Sequence, residues 1–373
     1  MRKFFLTVLL LAVSVWQLPA QAASASPSSA VKPSVKCLSD CTPRIGIVSA
    51  FGAEADLLVA ETRQRKTHSI NGNVFTTGVL HGNRVVIVLS GVSMINSVMV
   101  TQLLLDHFRV ERLIMSGIAG GLNPELHVGD VTIPDRWVMS MEVYWSHNSA
   151  VPAACGKPGD VSCLGLKLAS GKDGQLFPPF TLPTPHGEVP TGLFMRENFV
   201  MTTKNASKKP QGEFVFAYPV DAEMLAVASQ LKPKLSQCGP SAKPDQVPDP
   251  RLCVRQQPRL LVGGAGVTGT AFLAHPAYRK YLFQHLEANT FEMETAGLAH
   301  VAYANKVPYI AFRSLSDLAG GEEFDTDVAA LFTSGLAEAN EAAVTLAFLQ
   351  AWRLKNPMAN TTTTTTKPTG VRP

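Results

Sequence analysis

The chain has 373 residues, with 33 Lys and Arg against 29 Asp and Glu, a net charge of only +4. Hydrophobic residues make 46 % and charged residues 17 %, against roughly 25 % charged in an average soluble domain, which excludes a disordered chain and a basic nucleic-acid binder. The length suits one large domain or two ordinary ones, and six cysteines are too few for a disulfide-scaffold miniprotein.

From the N-terminus, Arg2 and Lys3 precede an almost wholly apolar run over 4–16 and the small-x-small site Ala20-Gln21-Ala22. That is the pattern of a secretory signal peptide over 1–22. The run is too short for a membrane anchor of about twenty residues, and Ala23 rather than Cys follows the cut. Export to the periplasm or the medium is therefore expected, with no membrane contact after cleavage. Residues 23–42 read as a flexible leader. In an oxidising compartment the cysteines are expected to pair. Six cysteines allow 15 pairings; spacing suggests Cys37–Cys41, Cys155–Cys163 and Cys238–Cys253. No CxxC pair with metal spacing occurs, so no metal is expected.

The next segments alternate. A strand is expected over 44–48, a helix over 53–63, and a hairpin over 74–80 and 84–89 joined by His81-Gly82-Asn83. Ser93 is placed to cap a helix over 94–108, whose stripe is Met94, Val98, Leu103 and Leu104. A buried strand over 112–115 leads into the glycine-rich turn 116–121, and another strand covers 130–134. Residues 146–212, rich in Pro and Gly, interrupt the pattern as an insert. A helix over 221–235, a strand over 259–262, a helix over 276–286 and a strand over 290–293 follow. The pattern closes with a helix over 294–305, a strand over 308–315, and one or two helices over 326–352. Asn360 then precedes six threonines, so 356–373 reads as a disordered tail. Strands alternating with helices imply an α/β fold around a parallel or mixed sheet, as one domain over 43–355 carrying the insert.

Ligands in α/β sheets bind beyond the carboxyl ends of strands. Glu54 follows the first strand, Ala119 and Gly120 lie on the glycine-rich segment, Glu294 follows the 290–293 strand, and Ser316-Asp317 ends the last. Each acid alone is more often a helix cap; four such sites at matching strand ends point to a small polar ligand. Gly264-Ala265-Gly266-Val267-Thr268-Gly269 matches GxGxxG, but no helix opens directly on it, as a dinucleotide site requires. No cofactor is expected. GxSxG, HExxH and the P-loop are absent from the sequence, and His300 reads as a packed residue.

The segments RIGIVSAFGAEADLL (44–58), SGIAGGLNPELHVGD (116–130), GTAFL (269–273) and FEMETAGLAHVAYANKVPYIAFRSLSD (291–317) resemble the nucleoside phosphorylase superfamily. The nearest enzymatic pattern is that of the 5′-methylthioadenosine/S-adenosylhomocysteine nucleosidases. Residues 88–134 and 311–320 also resemble plant bark and vegetative storage proteins. The resemblance covers most of 44–134 and 259–350, and not 146–212.

It implies a three-layer αβα sandwich with a central mixed, partly barrel-like sheet. It also implies roles. Asp317, beside Ser316, matches the acid that protonates or hydrogen-bonds N7 of a purine, a task that needs a raised pKa. Glu54 matches the residue that orients or deprotonates the attacking water. Glu294 matches the acceptor for the ribose hydroxyls, with Met293 beneath the sugar. Phe272 matches the aromatic that stacks on the base, Leu273 the residue whose backbone meets the base edge, and Ala119 and Gly120 the backbone that approaches the ligand. Two departures stand out: Phe51-Gly52-Ala53-Glu54 keeps only the last of three acids, and Ile118 replaces a small hydroxyl residue. The phosphate-binding arginines of the phosphorylases are missing after the first strand and before Ser116-Gly117, which leaves water as the expected nucleophile. The sequence reading is thus an exported purine nucleosidase for adenosine-like or methylthioadenosine-like compounds, a homo-oligomer (dimer or trimer) by family pattern. A phosphate-dependent phosphorylase and a non-catalytic storage or binding protein are the alternatives.

Overall fold

Apolar residues in the first half of the chain concentrate in runs that bury both faces of one sheet. The computed structural model describes residues 37–147, 153–157, 159–170, 174–202, 212–240, 250–320 and 334–356. The expected signal peptide, most of the leader and the threonine tail lie outside them. The first half contains β1 (Asp40–Ser49), α1 (Gly52–Glu61), β2 (Arg63–Ile70), β3 (Asn73–Leu80), β4 (Asn83–Leu89), α2 (Met94–His107), β5 (Phe108–Gly121), β6 (Val131–Ile133) and β7 (Arg136–Met139). β8 (Val143–Trp145) precedes the insert, which contributes β9 (Thr181–Thr184), β10 (Gly187–Pro190), β11 (Leu193–Met195) and β12 (Asn198–Met201), and β13 (Gly212–Val215) begins at its last residue. After it come β14 (Ala217–Pro219), α3 (Ala222–Ala228), β15 (Leu260–Val262), β16 (Ala265–Thr268), α4 (Pro276–Leu286), β17 (Ala288–Glu292), α5 (Thr295–Asn305), β18 (Tyr309–Asp317) and α6 (Leu336–Lys355).

Twelve strands form a mixed sheet in the order β14-β7-β16-β17-β5-β1-β4-β3-β2, with β18 lying between β5 and β6 and β15 on β6. Alternate residues face opposite ways. Ile45, Ile47, Val85, Ile87, Ile114, Ile310 and Phe312 pack with Leu58 of α1, Met224 of α3, and Phe348 and Trp352 of α6. Their neighbours Val86, Val88, Leu113, Met115, Tyr309 and Ala311 pack with Val100 and Leu104 of α2 and Leu298 and Ala299 of α5. Helices thus cover both faces, giving the αβα layering. A third cluster joins Tyr281, Leu282 and Leu286 of α4 to Phe177, Phe180 and Met195 of the insert.

Several expectations need correcting. The segment 116–121 is no turn: it continues β5, which pairs with β1 early, with β18 along its length and with β17 at Gly120 and Gly121. Ser93 makes no side-chain cap for α2; its backbone stands at φ 90° and its N–H donates to Glu294. The helix expected over 221–235 stops at Ala228; Pro233, which lacks the N–H a helix bond needs, bars its continuation to 235. β2 was not expected at all; its sequence RQRKTHSI is almost wholly exposed, and such a polar strand is stable only at an edge. β1 begins at Asp40, inside the expected leader, where Asp40 pairs with Arg44 at 2.7 Å. The last helix is described from Leu336; 321–333 lie outside the described residues. Disulfides join Cys37–Cys41, Cys155–Cys163 and Cys238–Cys253. Among the described residues no helix is long and apolar enough to cross a membrane.

Candidate active site

The ends of β1, β5, β17 and β18 meet around a cavity of about 200 Å3. Glu54, Ala119, Gly120, Phe272, Leu273, Met293, Glu294, Ser316 and Asp317 all line it, with Ala50, Phe51, Val92, Ile118, Phe291, Glu292 and others. The structure therefore brings every sequence-predicted ligand-site residue to one place. Phe272 is 60 % exposed at its rim.

Glu54 lies in the first turn of α1 and is buried. One carboxylate oxygen accepts the N–H groups of Ala50 at 2.6 Å and Phe51 at 3.3 Å, so it does act as a local cap. The other accepts the N–H of Ile118 at 2.9 Å and lies 3.7 Å from Arg313 Nη1. Burial pushes its proton affinity up; Arg313 and the amides oppose that. Gly117 allows this approach, since a Cβ there would stand 2.4 Å from both Arg313 and Glu54.

Glu292 and Glu294 flank the start of α5 and divide the work. Glu292 caps the helix, accepting Glu294 N–H at 2.9 Å, Thr295 N–H at 2.8 Å and Thr295 Oγ1 at 2.9 Å. It also accepts from Thr268 Oγ1 and from Arg313 Nη2. Glu294 occupies the N-cap position but makes no cap hydrogen bond. Its carboxyl accepts the Ser93 N–H at 2.8 Å and touches Arg313 Nη2 at 3.5 Å. That use of the Ser93 amide explains the backbone turn before α2. Burial, then the neighbouring Glu292 charge, raises the Glu294 pKa from 4.5 to about 7.

Asp317 stands apart from this group at the end of β18. Oδ1 accepts the Ala319 N–H at 2.8 Å, and Oδ2 accepts the Ser316 hydroxyl at 3.0 Å. Burial raises its pKa against those two bonds. Gly120 leaves it room, because a Cβ there would lie 2.8 Å from Asp317 Oδ1.

Arg313, fully buried on β18, was missed by sequence reasoning, as was Glu341, and Glu292 was given no role although it lies in the Glu-Met-Glu of the matched segment. The available signals were a lone cation in an otherwise neutral strand (AFRSLS) and an acid two residues before Glu294. Arg313 also donates to Thr295 Oγ1 at 2.9 Å and to the Ile118 carbonyl at 3.2 Å. Glu341 of α6 is fully buried against the hydroxyls of Ser116 and Thr345, and burial pushes its pKa far up. His300 is hydrogen-bonded to the Tyr218 hydroxyl at 2.9 Å, outside the cavity. The GxGxxG segment forms β16 rather than a phosphate loop. Among the described residues, no group of three or more His, Cys, Asp and Glu is arranged to hold a metal.

A model of the phosphorylase superfamily matches residues 44–350. A 5′-methylthioadenosine/S-adenosylhomocysteine nucleosidase of Bacillus cytotoxicus is 27 % identical over 283 residues, spanning 75 % of this chain and 87 % of that protein. Among solved structures, the nucleosidase of the same name from S. pneumoniae, bound to a transition-state inhibitor, superposes with a TM-score of 0.52 at 22 % identity. It covers 83 % of this chain and 99 % of its own. Futalosine hydrolase of Helicobacter pylori gives a TM-score of 0.51 at 18 % identity, covering 84 % and 98 %. The structural matches carry the fold alone.

Two outcomes follow from the charge cluster. Arg313→Leu leaves Glu292 and Glu294 buried without their cation and is expected to cost about 3–5 kcal/mol, read as a lower urea midpoint; an unchanged midpoint refutes the arrangement. Because the folded protein holds a proton on Glu294 more tightly than the unfolded chain does, this group favours folding fully below pH 4.5. That contribution is lost as pH rises to about 7. Comparing urea midpoints at pH 5 and pH 8 should show a smaller loss in Glu294→Gln than in the parent; an equal loss refutes the assignment.

Proposed function

The chain belongs to the phosphorylase superfamily, and from that premise we propose an exported purine nucleosidase. It hydrolyses the N-glycosidic bond of adenosine-like or methylthioadenosine-like nucleosides to free base and (thio)ribose. The observation that carries this reading is the separation of Asp317 from the other acids. Among the described residues, Asp317 is held by two hydrogen-bond donors, Ser316 and Ala319, and burial raises its pKa, whereas Glu54 and Glu294 share the field of Arg313.

Breaking the bond places positive charge on the ribose and negative charge on the base. A protonated Asp317 gives its proton to N7, so the base leaves neutral. Glu294 accepts hydrogen bonds from the ribose hydroxyls over Met293, and its charge stabilises the oxocarbenium-like sugar. Water, oriented by Glu54, adds its oxygen to the anomeric carbon, and Glu54 takes the released proton. Raised proton affinity suits a carboxylate acting as base near neutrality. Water is favoured over phosphate because no Arg or Lys among the described residues lines the cavity, and Arg313 is already committed to carboxylates.

Export rests on the signal-peptide pattern of 1–22 and accords with three disulfides. Assembly is supported by the exposed Val92, Ile95 and Met99, at 47, 76 and 55 %. Ile95 and Met99 lie one turn apart on α2, and Val92, just before the helix, also lines the cavity. Sedimentation of the mature chain should give a dimer or trimer; a monomer at micromolar concentration refutes that.

The mature chain incubated with purine nucleosides should release base with or without phosphate. A strict phosphate requirement would convert the reading to a phosphorylase. Asp317→Asn should lower the rate by about 10²–10⁴ with an unchanged circular-dichroism spectrum, and wild-type activity in that variant rejects the mechanism.

A further inference from the structure

A second cavity of about 250 Å3 adjoins the first, and the two share Ala271, Leu273 and Phe291 as walls. Its character is opposite. Where the first holds four carboxyls, the second is surrounded by Trp145, Phe180, Leu182, Met195, Tyr278 and Tyr281. The tyrosine hydroxyls there are directed to carbonyls, Tyr278 to Ser140 and Tyr281 to Pro178. The aromatic wall is already assembled: Phe180 lies 5.2 Å from Tyr278 and 5.3 Å from Tyr281, and the two tyrosines stack at 5.9 Å. Trp145 and Met141 remain 67 and 48 % exposed around it, an apolar surface that gains by being covered.

Three observations tie it to the first cavity. Phe180, Leu182, Leu193 and Met195 come from the insert, so this cavity is built by a segment outside the motifs that form the catalytic one. Neither cavity alone reaches the roughly 300–1,000 Å3 usual for ligand sites, and the two together do. The backbone that holds Asp317 runs directly to the second cavity: Ala319 N–H bonds Asp317, and His275 N–H bonds the Ala319 carbonyl at 3.2 Å. His275 is part of the second cavity's wall.

On the proposed reading, Asp317 faces N7 of the base, and the exocyclic amine at C6 lies on that same edge. We propose that the apolar cavity is a second compartment of the substrate site and takes an apolar group carried on the N6 amine of an adenosine-like nucleoside. The preferred substrates are then N6-alkylated or N6-benzylated purine nucleosides rather than adenosine itself. This rests on the nucleosidase reading for the placement of the base.

The test uses the mature full chain with adenosine and N6-benzyladenosine. The kcat/KM ratio should favour the substituted nucleoside by at least about tenfold, which is about 1.4 kcal/mol. Leu182→Asp, which puts a carboxylate into the cavity, and Trp145→Ala, at an exposed side chain that cannot disturb the core, should each bring the ratio toward one. Calorimetric titration with the free bases N6-benzyladenine and adenine reads the same preference without hydrolysis. Tighter binding of the substituted base in the parent, lost in Leu182→Asp, supports the compartment even if no nucleoside is cleaved, in which case the nucleosidase reading alone fails. A ratio at or below one together with equal or weaker binding of N6-benzyladenine overturns it.

Discussion

A guanidinium with no exposure to water must keep its anions within reach, and much of this site follows from that requirement at Arg313. Four buried carboxyls, Glu54, Glu292, Glu294 and Glu341, act on it. One cation cannot neutralise four anions in a dry interior, so protons must remain on part of the set. Burial and then the nearby Glu54 charge push the Glu341 pKa well up, against the Thr345 hydrogen bond and the Arg313 charge. Glu294, close to Arg313 but also to Glu292, falls near neutrality. The cluster is therefore poised to exchange protons at physiological pH without a change of fold, which is the condition for acid–base work at that pH.

The same requirement shapes the backbone. Arg313 and Glu54 can meet only beside a residue without a side chain, which is Gly117. Glu292 takes over capping of α5, and this releases Glu294 toward the cavity although it stands at the N-cap position. Asp317 is on the same strand as Arg313 but four residues on, past a register shift between Leu315 and Asp317 against β5. That irregularity takes it out of the ion cluster, so one strand supplies both the organising cation and an acid free of its field.

Sequence patterning made the alternating strands and helices legible because buried parallel strands are nearly continuous apolar runs. Glu54, Ala119, Gly120, Glu294, Ser316 and Asp317 were legible because they follow or end strands, whereas Phe272, Leu273 and Met293 were legible only through the family resemblance. Three things were not. β2 carries no apolar alternation, since among the described residues its only strand partner is β3 and its side chains are mostly exposed. The glycines of 116–121 read as a turn, because a strand that must let side chains pass close has the same composition as a loop. Arg313 reads as one polar residue in an apolar strand; its weight comes from groups 21 and 19 positions away in sequence, Glu292 and Glu294, and from Glu54 on the other side of the sheet order. No local pattern contains that information.

The misleading GxGxxG segment shows how glycines can serve packing where they suggest a cofactor. A Cβ on Gly266 would lie 2.6 Å from the Trp137 ring, and one on Gly269 would lie 2.5 Å from Phe291. Gly264 adopts φ +73°, with Asn289 filling the space a side chain would need. These glycines let β16 settle between the strands carrying Trp137 and Phe291. Phe291 is in turn the wall shared by the acidic and the apolar cavities. A motif that binds a pyrophosphate elsewhere here fixes the boundary between two compartments of opposite polarity, and a larger residue at Gly269 would move that boundary before it disturbed any charge.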